Sequence, residues 1–211
     1  MSDIQKIICL YKSRKTIINL LSLLNYETKD YSDFSINEID AMNKNEQLDM
    51  LILHKQELNK KVYIKFHLPE KQKQISKAVL DDTIDDLFRT ESTLTKDDTL
   101  IIVMDDEPND SNIARMNYLY DHDGIFVVMH NIKRLQYNIT EHSLVPKMTI
   151  LSHDETTLLM KNKNISSLSQ LPEISRYDPQ ALALCVRPNQ VCMFERSSAT
   201  ALKCIYYRVC V

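Results

Sequence analysis

Glycine is almost missing from this chain of 211 residues, in which Gly124 is the only one. Phosphate-binding loops and dinucleotide-binding fingerprints each need at least two glycines, because only glycine lets the backbone turn closely around a phosphate. The sequence therefore excludes both of these nucleotide-binding motifs.

Long apolar runs are missing as well. The apolar stretch at 4–10 is followed by polar residues at 11–15, and the longest later one, 181–186, is too short to cross a bilayer. We expect neither a membrane span nor a secretory leader. The five cysteines form an odd set without a C-x-x-C pair, which favours reduced thiols in an intracellular protein.

An excess of basic residues is absent too, since 26 Lys and Arg stand against 29 Asp and Glu. Domains that bind nucleic acid through their overall charge are usually clearly basic, so any DNA contact is expected to be local. The charge is uneven: residues 1–140 contain 18 basic and 23 acidic residues, and residues 141–211 contain 8 and 6. We predict two domains with these boundaries.

Residues 1–140 alternate predicted strands with predicted helices, which indicates an α/β domain. Ser35 and Glu38 have the spacing of a capping box at the start of a short helix. The basic residues of the first helix are interpreted as a solvated face: Lys6, Lys12, Arg14 and Lys15. The predicted helices span 4–24, 75–87 and 109–120, and the predicted strands 48–54, 61–67, 100–104 and 124–129.

Residues 141–211 predict a smaller domain with a mixed sheet, so the fold class is α/β plus α+β. A helix is expected at 154–161, and two final strands at 191–195 and 205–209 are expected to be joined by a long connection at 196–203. A terminal strand at a sheet edge leaves unpaired backbone groups to which a partner adds its own strand. This pattern predicts a role in assembly.

Local catalytic motifs are not found. Two acidic turns, 105–107 and 121–123, contain the carboxylates that a divalent cation prefers. Solvated turns with this composition are commoner than cation sites. The zinc-ligand types His142, His153, Cys185 and Cys192 lie at long, irregular intervals, unlike structural zinc sites. We predict no catalytic residue, no metal and no cofactor, although residues distant in sequence can still form a catalytic triad.

Four sequence motifs occur in one order towards the end of the chain. They are Asn138 to Lys147 (NITEHSLVPK), Leu171 to Ile174 (LPEI) followed by Asp178-Pro179, Arg187 to Val191 (RPNQV), and Tyr207 to Val209 (YRV). In order and spacing these motifs are similar to the C-terminal module of the fifth subunit of eukaryotic RNA polymerases, which has a counterpart in the archaeal enzymes. Residues 1–140 resemble the eukaryotic protein in layout only, and the archaeal form lacks such a domain.

Some positions depart from the family pattern. Met148 stands where a second histidine is usual, Asn189 stands where a glycine is usual, and 198–202 replaces a Glu-Thr-small-Gly run. Asn tolerates the left-handed backbone region, so a turn at Asn189 is still expected. These departures suggest a diverged copy such as a large DNA virus encodes.

The resemblance implies a noncatalytic subunit of a DNA-directed RNA polymerase. Its C-terminal domain would dock on the largest subunit, and its N-terminal domain would form part of the jaw around downstream DNA. The expected partners are the largest and other polymerase subunits, without membrane binding or homo-oligomerisation, in the nucleus or, for a virus, in the virion or virus factory. The implied interface residues are His142, Leu144, Val145, Pro146, Pro172, Asp178, Pro179, Arg187, Val191, Tyr207 and Arg208.

The resemblance also implies a weak DNA contact in the loop and helix start at 108–115. Backbone amides there, with Ser111, Asn112 and Arg115, would hold a phosphate without reading bases. Two alternatives remain open at this point. One is a metal-dependent nuclease-like enzyme that uses Asp105 and Asp106. The other is a free-standing transcriptional adaptor that binds proteins outside the polymerase.

Overall fold

The computed structural model describes residues 3–57, 59–68, 75–198 and 200–211. The chain is a mixed α/β protein with two mixed sheets, and it divides into two compact units, Met1–Tyr137 and Asn138–Val211. We call them unit 1 and unit 2. The predicted boundary, between residues 140 and 141, lies slightly further along the chain.

Unit 1 contains a four-stranded sheet with the order β1-β2-β3-β4, in which β1 is antiparallel to β2 and the other pairs are parallel. Every residue of β3 and β4 is buried, as is typical of parallel strands that are covered on both faces. The elements are α1 Asp3–Leu23, α2 Lys29–Ser32, α3 Ile36–Lys44, β1 Met50–Leu53, β2 Lys61–His67, α4 Lys77–Ile84, β3 Thr99–Met104, α5 Asp110–Tyr118 and β4 Phe126–Asn131.

Two helices of unit 1 end or begin at residues with a clear local role, of which the sequence predicts the first, whereas Gly124 was expected to begin a strand. Ser35 caps α3, since its hydroxyl accepts from the backbone N–H of Glu38 and the Glu38 carboxylate accepts from the backbone N–H of Ser35. A π-helical turn, Leu119–Asp123, continues α5 and ends at Gly124, whose φ of 73° lies in the left-handed region. The chain therefore uses its one glycine where the backbone favours it most.

Unit 2 contains a second four-stranded sheet, with the order β5-β7-β8-β6. The pairs β5-β7 and β7-β8 are antiparallel, and β6-β8 is parallel. Its hydrophobic core includes Leu159, Leu171, Val191 and Val209. The elements are β5 Lys147–Ile150, α6 His153–Asn162, β6 Glu173–Ile174, α7 Pro179–Ala183, β7 Val191–Ser198 and β8 Leu202–Cys210.

The structure changes two predictions about the end of the chain. The terminal strand β8 lies at a sheet edge only in part, because β6 covers its end: the backbone N–H groups of Val209 and Val211 donate to the carbonyls of Pro172 and Ile174, both at 2.9 Å. The predicted long connection at 196–203 is mostly strand, since β7 extends to Ser198 and β8 begins at Leu202. Its residues are polar because this hairpin is exposed, not because it is a loop.

A candidate docking surface on unit 2

The open part of β8 is the main candidate for binding a partner. β6 pairs with β8 only at Val209 and Cys210, so in the described part of the chain no strand pairs with 202–208 on the side away from β7. The N–H of Cys210 points towards β7, where it donates to Gln190, whereas the N–H of Val209 points the other way. Because strand residues alternate, the N–H of Ile205 faces the open side.

The side chains along this open edge continue the core face of the sheet. Tyr207 packs against the core cluster of unit 2, and Ile205, two residues earlier on the same face, is 54% exposed. Leu202, where β8 begins, is 86% exposed. We call the open backbone edge with these two apolar side chains the β8 edge. It combines unpaired main-chain groups with uncovered apolar surface, which is the arrangement that strand addition needs.

The opposite face of the hairpin carries an aromatic and basic strip. The rings of Phe194 and Tyr206 stack with their centroids 5.0 Å apart. Two guanidinium groups lie near the ring of Tyr206, that of Arg196 at 5.4 Å and that of Arg208 at 5.9 Å. Arg208 is also fixed by a hydrogen bond to the carbonyl of Glu173. Phe194 is itself buried, so the surface of this strip consists of Tyr206 and the two arginines. Aromatic residues and arginine are enriched at protein interfaces, so this surface is suited to a protein partner.

The segment before β5 contains Leu144, which is the most exposed apolar residue among the predicted interface residues. Leu144 is 85% exposed, and its N–H donates to the Nδ1 atom of the exposed His142. Val145 and Pro146 are half-buried, and the carbonyl of Pro146 accepts from the Gln180 side chain of α7. The segment therefore presents Leu144 to solvent on a backbone that is tied down at both sides.

The other predicted interface residues have mixed positions. Pro172 and Pro179 are exposed, Arg187 is half-buried, and Asp178 caps α7 by accepting from the backbone of Gln180. Val191 is 1% exposed and belongs to the core of unit 2. Its side chain is therefore not available to a partner, which corrects its place among the interface residues.

The predicted DNA-proximal residues do not come together as a phosphate site. Asn112 is buried, its side chain donates to the carbonyl of Ile75, and its backbone N–H donates to the capping side chain of Asn109. The guanidinium of Arg115 donates to Asp81 at 2.7 Å. Of the three, Ser111 alone has an exposed side chain. The structure corrects the expectation for Asn112, which lies on the buried face of α5 with Met116.

The first acidic turn, 105–107, is engaged within unit 1 through Glu107. Glu107 accepts hydrogen bonds from Arg134 at 2.8 Å and from Asn131 at 3.3 Å. Within the described ranges, no group of three or more His, Cys, Asp or Glu side chains is arranged to hold a metal ion. None of the helices there has the length and apolar character that a membrane crossing requires.

The five cysteines are free thiols, and burial controls the chemistry of two that lie in the sheet of unit 2. Burial raises the pKa of the Cys192 thiol from its ordinary value of 9.0 to about 12, helped by the neighbouring Cys210. Burial likewise raises the pKa of Cys210 to about 11. Both thiols are therefore protonated at neutral pH and are poor nucleophiles and metal ligands.

These shifts predict that unit 2 loses stability at alkaline pH. Above pH 9.0 the thiols ionise in the unfolded chain but stay protonated in the folded one. The free energy of unfolding is therefore highest below pH 9.0, and it falls as the pH rises from there towards the folded-state pKa values of about 11 and about 12. We expect each thiol to cost about 1.4 kcal/mol at about pH 10. Urea unfolding between about pH 8 and about pH 10 measures this loss.

The control for this prediction compares slopes with pH, not absolute stabilities. A chain with Cys192→Ala and Cys210→Ala starts less stable because of the cavities, but its stability should fall less steeply between these pH values. Equal slopes for the double variant and the wild type would contradict the assignment to these thiols.

Sequence reasoning missed Leu202, Ile205 and Tyr206 as surface residues. It began the last strand at residue 205, although the strand begins earlier, at Leu202, within the exposed hairpin. It also missed Arg14, which is 2% exposed although it was interpreted as part of a solvated face. Helix α1 is covered on more than one side, so helical periodicity alone does not place residue 14 correctly.

Comparison with known proteins gives matches for unit 2. Residues 137–210 match the family model described as RNA polymerase Rpb5, C-terminal domain. The DNA-directed RNA polymerase subunit Rpo5 of Thermococcus kodakarensis is 42% identical over 76 residues, which are 36% of this chain and 92% of that protein. Rpo5 of Pyrococcus abyssi is 40% identical over the same shares, and Rpo5 of Archaeoglobus fulgidus is 34% identical over 36% of this chain and 100% of its own length.

Proposed function

We propose a function for this chain from one premise: it belongs to the Rpb5–Rpo5 family of DNA-directed RNA polymerase subunits. As such it is a noncatalytic subunit of a multisubunit enzyme and acts in transcription. Its location is then that of its polymerase, which is the nucleus for a cellular polymerase of the eukaryotic type, or the virion or cytoplasmic virus factory for a viral one. The viral source stays a prediction.

Unit 2 docks on the largest polymerase subunit, and the β8 edge carries this docking. The observation that supports this most strongly is the open side of β8 at 204–208, where no described strand pairs on the side away from β7, beside the exposed Ile205. A strand from the large subunit that pairs there would satisfy these groups and cover the apolar side chain. Leu144 and the aromatic and basic strip around Tyr206 add to the surface that the largest subunit would cover.

Unit 1 forms part of the jaw beside downstream DNA and makes at most a weak contact with it. Its 23 acidic residues outnumber its 18 basic ones, so its overall charge disfavours phosphate. Arg115 is paired with Asp81 and Asn112 is buried, which leaves Ser111 and the loop before α5 for a positioning contact. Most of the affinity for DNA then comes from other subunits of the polymerase.

Affinity purification tests this proposal. The tagged chain, produced in the cells from which the sequence comes, should copurify with two very large polymerase subunits and elute with them at the size of the intact enzyme. Leu144→Asp should lower the yield of these subunits without changing the melting temperature of the chain, because Leu144 is exposed. Elution of the chain with other proteins at a much smaller size would support the free-standing adaptor instead.

A further inference from the structure

Arg14 of α1 is a buried cation that no carboxylate of the described residues pairs with. Its side chain is 2% exposed, and its Nη1 atom donates to the carbonyl of Leu48 at 2.9 Å. Its Nε atom is buried and has no hydrogen-bond partner in the part of the chain that the structure describes. A buried charge without a compensating anion is costly, and here burial lowers the pKa of the Arg14 guanidinium. Such an arrangement is unusual unless something else neutralises the charge.

The guanidinium of Arg14 borders a cavity in unit 1. The cavity has a volume of about 450 Å³, and Arg14 and Lys15 of α1 both line it. The aromatic rings of Tyr31 and Phe34 lie 5.9 and 5.4 Å from the guanidinium carbon. The Tyr31 hydroxyl is held by a hydrogen bond to the carbonyl of Leu51, so this wall is fixed. The volume suits a small ligand or one or two side chains of a peptide.

The hydrogen bonding of Arg14 leaves part of its guanidinium for a ligand. Nη1 is used by Leu48 and Nε is shielded from solvent, so Nη2 is the donor that remains for a ligand in the cavity that Arg14 lines. A charge-assisted hydrogen bond from a guanidinium to a carboxylate is among the stronger hydrogen bonds in proteins. We propose that this cavity binds a carboxylate side chain from an acidic peptide segment of a partner protein, with an adjacent apolar residue against its aromatic wall.

The charges around the cavity favour one carboxylate over a phosphate. Arg14 and Lys15 supply two positive charges, and Asp33 on the same wall supplies one negative charge. The carboxylate of Glu38, bound by Ser35 at the rim, adds another. At the same position, the repulsion from these two acidic groups is about twice as large for a doubly charged phosphate as for a singly charged carboxylate. The apolar lining, which includes Ile18 and Ile39, favours a peptide over a nucleic acid backbone.

A pair of short peptides tests this site on the full chain. Acetyl-Asp-Phe-amide and acetyl-Asn-Phe-amide differ only in the carboxylate, and chemical-shift titration at millimolar concentrations measures the binding of each. We expect the Asp peptide to bind at least tenfold more tightly. Inorganic phosphate and a short DNA duplex, titrated in the same way, should bind more weakly than the Asp peptide.

Variants of the two basic residues link any binding to the cavity. Arg14→Met keeps an unbranched side chain and should reduce the preference for the Asp peptide to less than twofold. If Arg14→Met does not fold, Lys15→Gln provides the test, because Lys15 is exposed. Removal of the Lys15 charge should lower the affinity for the Asp peptide about threefold. Lys12→Gln, on an exposed part of the same helix outside the cavity, should have no effect.

Three results would overturn the proposal. One is equal binding of the Asp and Asn peptides, or no binding of either. Another is an affinity for the Asp peptide that is unchanged in Lys15→Gln and, where it folds, in Arg14→Met. The third is tighter binding of phosphate or the duplex that depends on the same residues, which would make the cavity a phosphate site. None of these results depends on whether unit 2 docks on a polymerase.

Discussion

Ile205→Pro is expected to release this chain from its polymerase while its fold is kept. The N–H of Ile205 faces the open side of β8, where no described strand pairs with it. Proline removes this donor and blocks strand addition, but it leaves the hydrogen bonds between β7 and β8 in place and is tolerated at a sheet edge. The yield of copurified large subunits should fall at least tenfold, with the melting temperature nearly unchanged.

A neighbouring substitution provides the matched control. Tyr206 has the alternate orientation, so its N–H faces β7, and Tyr206→Pro removes a hydrogen bond inside the sheet. We expect it to lower the free energy of unfolding by about 3 kcal/mol or more. Ile205→Val keeps the donor and should assemble as the wild type does. Wild-type copurification of Ile205→Pro would show that docking does not use strand addition at this edge.

The parts of the fold that could be predicted are those fixed by neighbours in sequence. The capping box of Ser35 and Glu38 sets the start of α3 through contacts three residues apart. The alternation in β2 predicts a strand whose Val62 and Ile64 are buried, and both are. In these cases the physical cause of the structure lies within one turn or one strand, so composition and spacing are sufficient.

The parts that could not be predicted depend on contacts between distant segments. The two-residue strand β6 covers the end of β8, and nothing near Val209 in sequence indicates this. Arg14 is buried through contacts with Leu48 and Phe34, and Asn112 through a hydrogen bond to Ile75. Each of these side chains donates to the backbone carbonyl of a segment more than 30 residues away, so its burial cannot be deduced from its polarity.

The same limit affects the candidate docking surface. The motif at 187–191 lies in the unit that carries the candidate docking surface, but its residues have different structural roles. Arg187 is half-buried, Asn189 adopts a turn conformation with a φ of 68°, and Val191 is in the core. A family motif contains residues that are required for folding as well as residues that are required for binding. Separating the two needs the burial of each side chain.

Val191→Asp is expected to unfold unit 2, which distinguishes a core role for this residue from an interface role. Val191 is 1% exposed and packs with Leu159, Leu171 and Val209. An aspartate there would be buried without a partner, either as a costly charge or as a protonated acid with unsatisfied hydrogen bonds. We expect a loss of roughly 4 kcal/mol or more, comparable with the whole stability of a small unit. Urea unfolding followed by circular dichroism measures it.

Leu144→Asp makes the same chemical change at an exposed position of unit 2 and serves as the control. Leu144 is 85% exposed, so its replacement should alter the free energy of unfolding by no more than about 0.5 kcal/mol. Both variants should reduce copurification with the polymerase, but for different reasons: Val191→Asp because unit 2 is unfolded, and Leu144→Asp because a folded surface has lost an apolar contact. A stable Val191→Asp chain that fails only in assembly would return Val191 to the interface and contradict the core assignment.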